Sequence, residues 1–152
     1  MKSKSPINVR LGDILNLKRG HDLTHSEMVF GPFKVIGSSG IIGIHNSYRG
    51  LKPCITVGRS GTVGKVQIHN EFCWPHNTTL YVDDFKDNNP FYLYYLLRNY
   101  DLANHRGGSA VPTLNRNHLH PLRIHFHSDY IAQNKIANIL SSFDDKIEVN
   151  NK

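Results

Sequence analysis

Four polar or glycine-punctuated segments carry side chains able to read or grip a polyanion. Ser38 and Ser39 sit in Gly37-Ser38-Ser39-Gly40, with Tyr48 and Arg49 further on, and Arg59, Ser60 and Thr62 belong to Gly58-Arg59-Ser60-Gly61-Thr62. Asn77 and Thr78 follow Trp74-Pro75-His76, and Thr113, Asn115, Arg116 and Asn117 complete the set. Arginine can donate two parallel hydrogen bonds to guanine, asparagine matches adenine, and serine or threonine hydroxyls can bond either. Lys18, Arg19, Lys34, Lys52 and Lys65 suit phosphate contact, which fixes register without reading sequence. Arg59 and Arg116 stand out because each lies among small or polar neighbours with no adjacent acid to neutralise it. Asn77 and Thr78 could equally close a turn through side-chain-to-backbone bonds. The two glycine loops bring backbone amides where a phosphate could approach, yet they could equally be hairpin turns.

The charge distribution agrees with a polyanionic partner. Residues 1–70 hold ten Lys or Arg against three acids, a net of +7, and residues 105–123 hold three bases and no acid. Residues 71–104 are acidic, with five acids against two bases. Segregated cations favour phosphate contact because each releases condensed counterions. A merely basic globular protein would share the same total of +6.

Ten histidines raise a metal alternative, chiefly His118, His120, His125 and His127, whose His-x-His spacing would put each pair on one face of a strand. A metal-dependent nuclease built on His76, His118 and His120 is the enzymatic reading, but no carboxylate lies within that cluster and Arg123 adds an opposing cation. Surface imidazoles that reinforce phosphate binding when protonated are the plainer reading, so no metal is expected. Asn88-Asn89-Pro90-Phe91-Tyr92 is superficially like the Asn-Pro-Pro-Tyr loop of adenine methyltransferases, but it lacks the second proline and no glycine-rich methyl-donor loop precedes it. Asn89 and Pro90 read better as a helix start, and no catalytic residue is expected.

The elements that must position these groups are short. Phe33–Ile36, Ile41–Ile44, Cys54–Val57, Thr62–Val66 and Thr79–Val82 are β-branched or aromatic runs and read as strands. One helix runs from Pro90 to about Tyr100 with Phe91, Leu93, Tyr94, Leu96 and Leu97 on a broad apolar face. A second starts at Ser128-Asp129 and sets Ile136, Leu140, Phe143 and Ile147 at heptad spacing, a stripe that calls for a partner helix. Trp74, alone beside Pro75, reads as core more readily than as a stacking platform. The two cysteines have no metal or disulfide pattern, no apolar run approaches a membrane span, and the N-terminus lacks a signal peptide's apolar stretch, all pointing to a reducing, cytoplasmic setting. The expected fold is α+β: a twisted, mainly antiparallel sheet of short strands with one packed helix, residues 1–127, and a projecting C-terminal helix, residues 128–152.

Six segments, in order, resemble the type I restriction-modification DNA specificity family. They are Arg10-Leu11-Gly12-Asp13-Ile14 with Lys18-Arg19-Gly20; Val35 to Gly43; Ile55 to Gly64; Trp74 to Val82; Gly108 to Asn115; and Gln133 to Leu140 with Phe143-Asp144-Asp145-Lys146-Ile147. The resemblance implies a target recognition domain that reads one half of a bipartite duplex DNA site, and a first stretch of the spacer helix that holds two such domains apart. It implies prokaryotic partners: an adenine methyltransferase (modification) subunit and a restriction motor subunit, with S-adenosylmethionine, ATP and Mg on those subunits and no cofactor here. With one recognition domain instead of two, the chain is expected to be a half subunit, a truncated product or an excised domain. Its C-terminal helix would meet a second copy, a second recognition domain or the modification subunit. A protein-interaction module that regulates the modification subunit without reading DNA is the alternative from another class.

Overall fold

The computed structural model describes residues 4–107 and 112–150. Its short strands form three small sheets. β1 (Ile7–Arg10) pairs antiparallel with β9 (Arg123–Phe126). The central sheet runs β2 (Asn16–Arg19), β8 (Thr79–Asp84), β5 (Cys54–Gly58), β6 (Val66–His69), all antiparallel. The third places β3 (Phe33–Ile36) between β4 (Ile41–His45) and β7 (Trp74–Pro75), the β3–β7 pair being parallel. Four helices accompany them: α1 (Leu11–Ile14), α2 (Pro90–Arg98), α3 (Arg116–Leu119) and α4 (Tyr130–Asn150). The chain is therefore α+β with mainly antiparallel short strands. No helix among the described residues is long and apolar enough to cross a membrane.

β5 is central and buried along its whole length, which is why Cys54-Ile55-Thr56-Val57 carries no charge. Ile55, Val57, Leu17, Leu80, Leu93 and Leu97 meet in the main core. A smaller core of Leu23, Val35 and Trp74 lies in the β3 sheet, and Trp74, 7% exposed, is a core residue.

The expected strand over Thr62–Val66 is a correction: residues 61–65 form a turn, and pairing begins only at Val66. Gly61 and Gly64 have φ of +74° and +85°, values that β-branched neighbours cannot sustain in a strand. Gly64 N then donates to the Gly58 carbonyl, folding Thr62 and Val63 out of the ladder. His118 and His120 are likewise not on a strand; they lie on α3 and just past it, and only His125 is in β9.

Helix α2 begins where the composition places it. The Asn89 side chain accepts from Phe91 N and Tyr92 N at 2.9 and 3.1 Å, with Pro90 in the first turn. Helix α4 docks through a polar contact. Gln133, 1% exposed, accepts from Asn89 N and donates to Asn88 Oδ1 and the His127 carbonyl. Ala137 is buried one turn on, and two turns further Asp144 still meets α2, accepting from the Tyr95 hydroxyl and Arg98.

Candidate nucleic-acid interface

Four cations from three separate segments converge on one cleft of about 350 Å³. Lys18 and Arg19 come from β2, Arg59 from the loop after β5, and Arg116 from the start of α3, with Thr113, Leu114, Asn115 and Leu80 completing the walls. The chain brings them together by backbone hydrogen bonds: Leu114 N donates to the Arg59 carbonyl at 2.8 Å, while Arg59 N and Ser60 N both donate to the Thr78 carbonyl. Burial, then the nearby Arg19 charge, lowers the Arg59 pKa, so this guanidinium is partly desolvated beside a like charge. Cations crowded this way gain from any anion that enters.

Each arginine is also anchored. Arg59 Nε donates to the Asn77 carbonyl at 2.8 Å, which leaves the terminal nitrogens as the part able to reach out. Arg116 Nη1 donates to the Leu17 carbonyl at 3.2 Å, and His120 Nε2 accepts from Leu17 N at 3.0 Å. Two side chains from α3 thus satisfy the outward backbone of β2, an edge strand. Asn115 caps α3 by accepting from Asn117 N, and its residue remains exposed, as do Arg116 and Asn117.

The glycine loops beside the cleft are hairpin and turn structures. Ser38 is 9% exposed; its hydroxyl accepts from Thr62 N, and its amide donates to Thr78 Oγ1. Gly37 and Gly40 bond each other, and Gly58, Arg59, Ser60, Thr62, Val63 and Gly64 all donate their amides inside the protein. Those amides therefore offer no cradle for a phosphate. A Cβ at Gly58 would lie 1.9 Å from the Thr62 carbonyl oxygen, so glycine is required there. Lys65 Nζ donates to the Ser39 carbonyl, and Asn77 Nδ2 donates to Asp22, which also pairs with Arg19 at 3.7 Å. Ser39, Thr62 and Lys65 are exposed on this rim, with Ser60 partly so.

Tyr48, Arg49, Lys34 and Lys52 do not line the cleft. Tyr48 stacks between Phe33 and Phe72. Arg49 lies over Trp74 at 5.3 Å from its ring centre. Lys34 pairs with Glu71 at 2.6 Å, a bond that raises the lysine's pKa. Lys52 is exposed before Pro53. Of the residues foreseen for partner contact, Ile136 is half-buried against the core, while Leu140, Phe143 and Ile147 are exposed. Among the described residues no three His, Cys, Asp or Glu side chains are grouped to hold a metal. His76 is engaged with Thr78 and the Leu23 carbonyl, and His120 with Leu17.

Sequence reasoning named His120 only as a metal candidate and Gln133 only within the family resemblance, so their roles in holding β2 and α4 went unread, and it missed Gln67, whose amide holds the carbonyls of Gly37 and Ser38. A polar residue at helical spacing from apolar ones was an available signal, since Gln133 falls on the same helix face as Ile136, Ala137 and Leu140.

Solved structures share this fold. The S subunit of the type I restriction-modification system from M. genitalium superposes with a TM-score of 0.81 at 20% identity, over 94% of this chain and 40% of that one. A chain solved in work on the complex assembly and conformational transition of the type I R-M system gives 0.73 at 14% identity, over 98% and 40%. The HsdS subunit from Thermoanaerobacter tengcongensis gives 0.64 at 15%, over 95% and 39%. The present chain thus spans about 40% of the length of the first two. No curated protein matches the chain. The family model of the type I restriction modification DNA specificity domain matches residues 7–152, and the chain belongs to that family.

Proposed function

We propose that this chain recognises one half of a bipartite duplex DNA target and thereby directs a separate adenine methyltransferase subunit, and with it a restriction motor subunit, to that site. The observation that carries the reading is the cleft itself, where Lys18, Arg19, Arg59 and Arg116 meet beside Thr113 and Asn115. Lysine and arginine at its rim supply the sequence-independent part of the affinity. The unanchored ends of Arg59 and Arg116, with the polar groups of Thr113, Asn115 and Asn117, supply the reading of base edges. Ser38 and Thr78, whose hydroxyls are committed to holding loops, act by placing Arg59. S-adenosylmethionine, ATP and Mg belong to the partner subunits.

Co-expression with a modification subunit followed by methylation mapping tests this directly. A single methylated bipartite sequence, one half of which changes when Arg59 or Arg116 is replaced, is the expected result. Binding confined to low salt, with no sequence preferred over a random duplex, would overturn the reading and favour an interaction module.

A further inference from the structure

Lys18 and Arg49 both border a small aromatic platform next to the cleft, Lys18 at Tyr81 and Arg49 at Trp74. Lys18 faces Tyr81 across the β2–β8 pairing. His21 Nε2 lies 2.9 Å from the Tyr81 hydroxyl, and Trp74 Nε1 donates to the His21 carbonyl. The rings of His21 and Trp74 meet edge to face at 5.9 Å. The segment carrying Arg49 is pinned to the same platform: Arg49 N donates to the Cys73 carbonyl, and Gly50, at φ +83°, lies so close to the Tyr81 ring that a Cβ there would come within 2.9 Å of it. The guanidinium rests on the Trp74 face, so its orientation is largely set before any ligand arrives.

The charges here have no internal counterpart. Among the described residues neither Lys18 nor Arg49 has a carboxylate within salt-bridge distance; Asp22 is taken by Arg19 and Asn77, and Asp83 by Asn16. Both cations are close enough to His21 to hold its pKa down, after burial, while Asp22 opposes them weakly. Lys18 is also a wall of the cleft, so the platform continues the same cationic surface.

We propose that Lys18 and Arg49, set on the His21–Tyr81–Trp74 platform, form a seat for one phosphodiester of the duplex backbone, so that Arg49 grips phosphate instead of reading a base. The seat rests on the DNA-recognition reading given above. Two cations bordering one platform, neither paired with a carboxylate, suit the charge of a phosphate, whereas a base edge offers neutral acceptors and gains little from the second cation. The seat would fix the register in which the Arg59 and Arg116 tips meet the groove.

The test uses the full chain, a random-sequence duplex and a duplex enriched from a randomised pool by repeated selection on the protein, each titrated over a salt series. Arg49→Ala should weaken both duplexes by the same factor and lower the magnitude of the log–log salt slope by about 0.9, one phosphate contact. Arg49→Lys should restore part of the loss on both duplexes alike, because a phosphate needs the charge and not the fork, while lysine gives up the guanidinium's place on Trp74. Loss confined to the enriched duplex overturns the seat in favour of base reading; unchanged binding to both overturns it outright. If Arg59→Ala still abolishes preference for the enriched duplex, the recognition reading survives such a failure. If the wild-type chain enriches no sequence and shows no salt-dependent binding, that reading fails and the seat falls with it.

Discussion

The Arg116 guanidinium donates to the carbonyl of Leu17, tying α3 to the open edge of β2 at the wall of the cationic cleft. One side chain thus closes a strand edge and supplies a charge where DNA is proposed to lie. Arg116→Ala should cost about 0.5–1.5 kcal/mol of stability, the usual net value of one hydrogen bond. It should also cost about 1–3 kcal/mol in binding a preferred duplex. Urea titration and anisotropy on the same variant check both numbers. Unchanged stability would mean that the guanidinium serves the cleft alone.

Much of this was legible in the sequence because it is local. The Asn89-Pro90 start of α2, the apolar runs of β3, β4, β5 and β8, and the segregated cations each depend on neighbours within a few residues. The convergence of Arg59 and Arg116 depends instead on Leu114 meeting the Arg59 carbonyl, a contact across 55 residues of chain that no periodicity encodes. Thr62-Val63 failed as a strand for the opposite reason: local propensity was right for the side chains, but the two positive-φ glycines around them decided the path. The strands β1 and β9 do alternate apolar and polar residues, but over four residues each, and β2 has Leu17 as its one apolar residue, so none offered a run long enough to read.

His120 gives the fold a dependence on pH. Its Nε2 accepts from Leu17 N, so the folded state holds the ring neutral. Burial first, then the Arg116 and Lys86 charges, lowers its pKa from 6.5, against a smaller opposing effect of Asp83. A depressed folded pKa means the unfolded chain takes up the proton more readily, so this contribution is complete above about pH 6.5 and is lost as pH falls through the folded value. Urea midpoints for the wild type should drop between pH 7.5 and 5.5 by more than those of His120→Gln, since His21 and His69, also lowered by burial first, titrate in both proteins. An equal drop in the two would remove His120 from the account.

Gln133 fastens α4 to the body with three hydrogen bonds and almost no exposure. Gln133→Ala would leave Asn89 N and the His127 carbonyl without their partner in a half-buried contact, at a cost of up to about 1–3 kcal/mol for each group left unpaired. The variant should melt markedly lower, whereas Lys135→Ala, two residues on and exposed, should leave melting unchanged. Similar melting of the two variants would show that the Gln133 hydrogen bonds add nothing to what holds α4.

The α4 stripe divides near Ala137 into a docked half and a free half. Ile136 packs against the core, but Phe143 and Ile147 are 57% and 58% exposed, with Ile139 and Val149 exposed on the same length of helix. Asp144, between them, is held by the Tyr95 hydroxyl and Arg98, so this turn is oriented by polar contacts while its apolar groups stay in solvent. An exposed row of this kind favours association, since burying apolar area yields about 25 cal/mol per Å². Phe143→Asp with Ile147→Asp should therefore abolish self-association, or association with a partner subunit, while leaving the domain's melting temperature and its non-specific DNA binding nearly intact. Light scattering and thermal melting on the double variant decide the matter. If the row were core in solution, two buried aspartates would unfold the domain, and a large fall in melting temperature would show it.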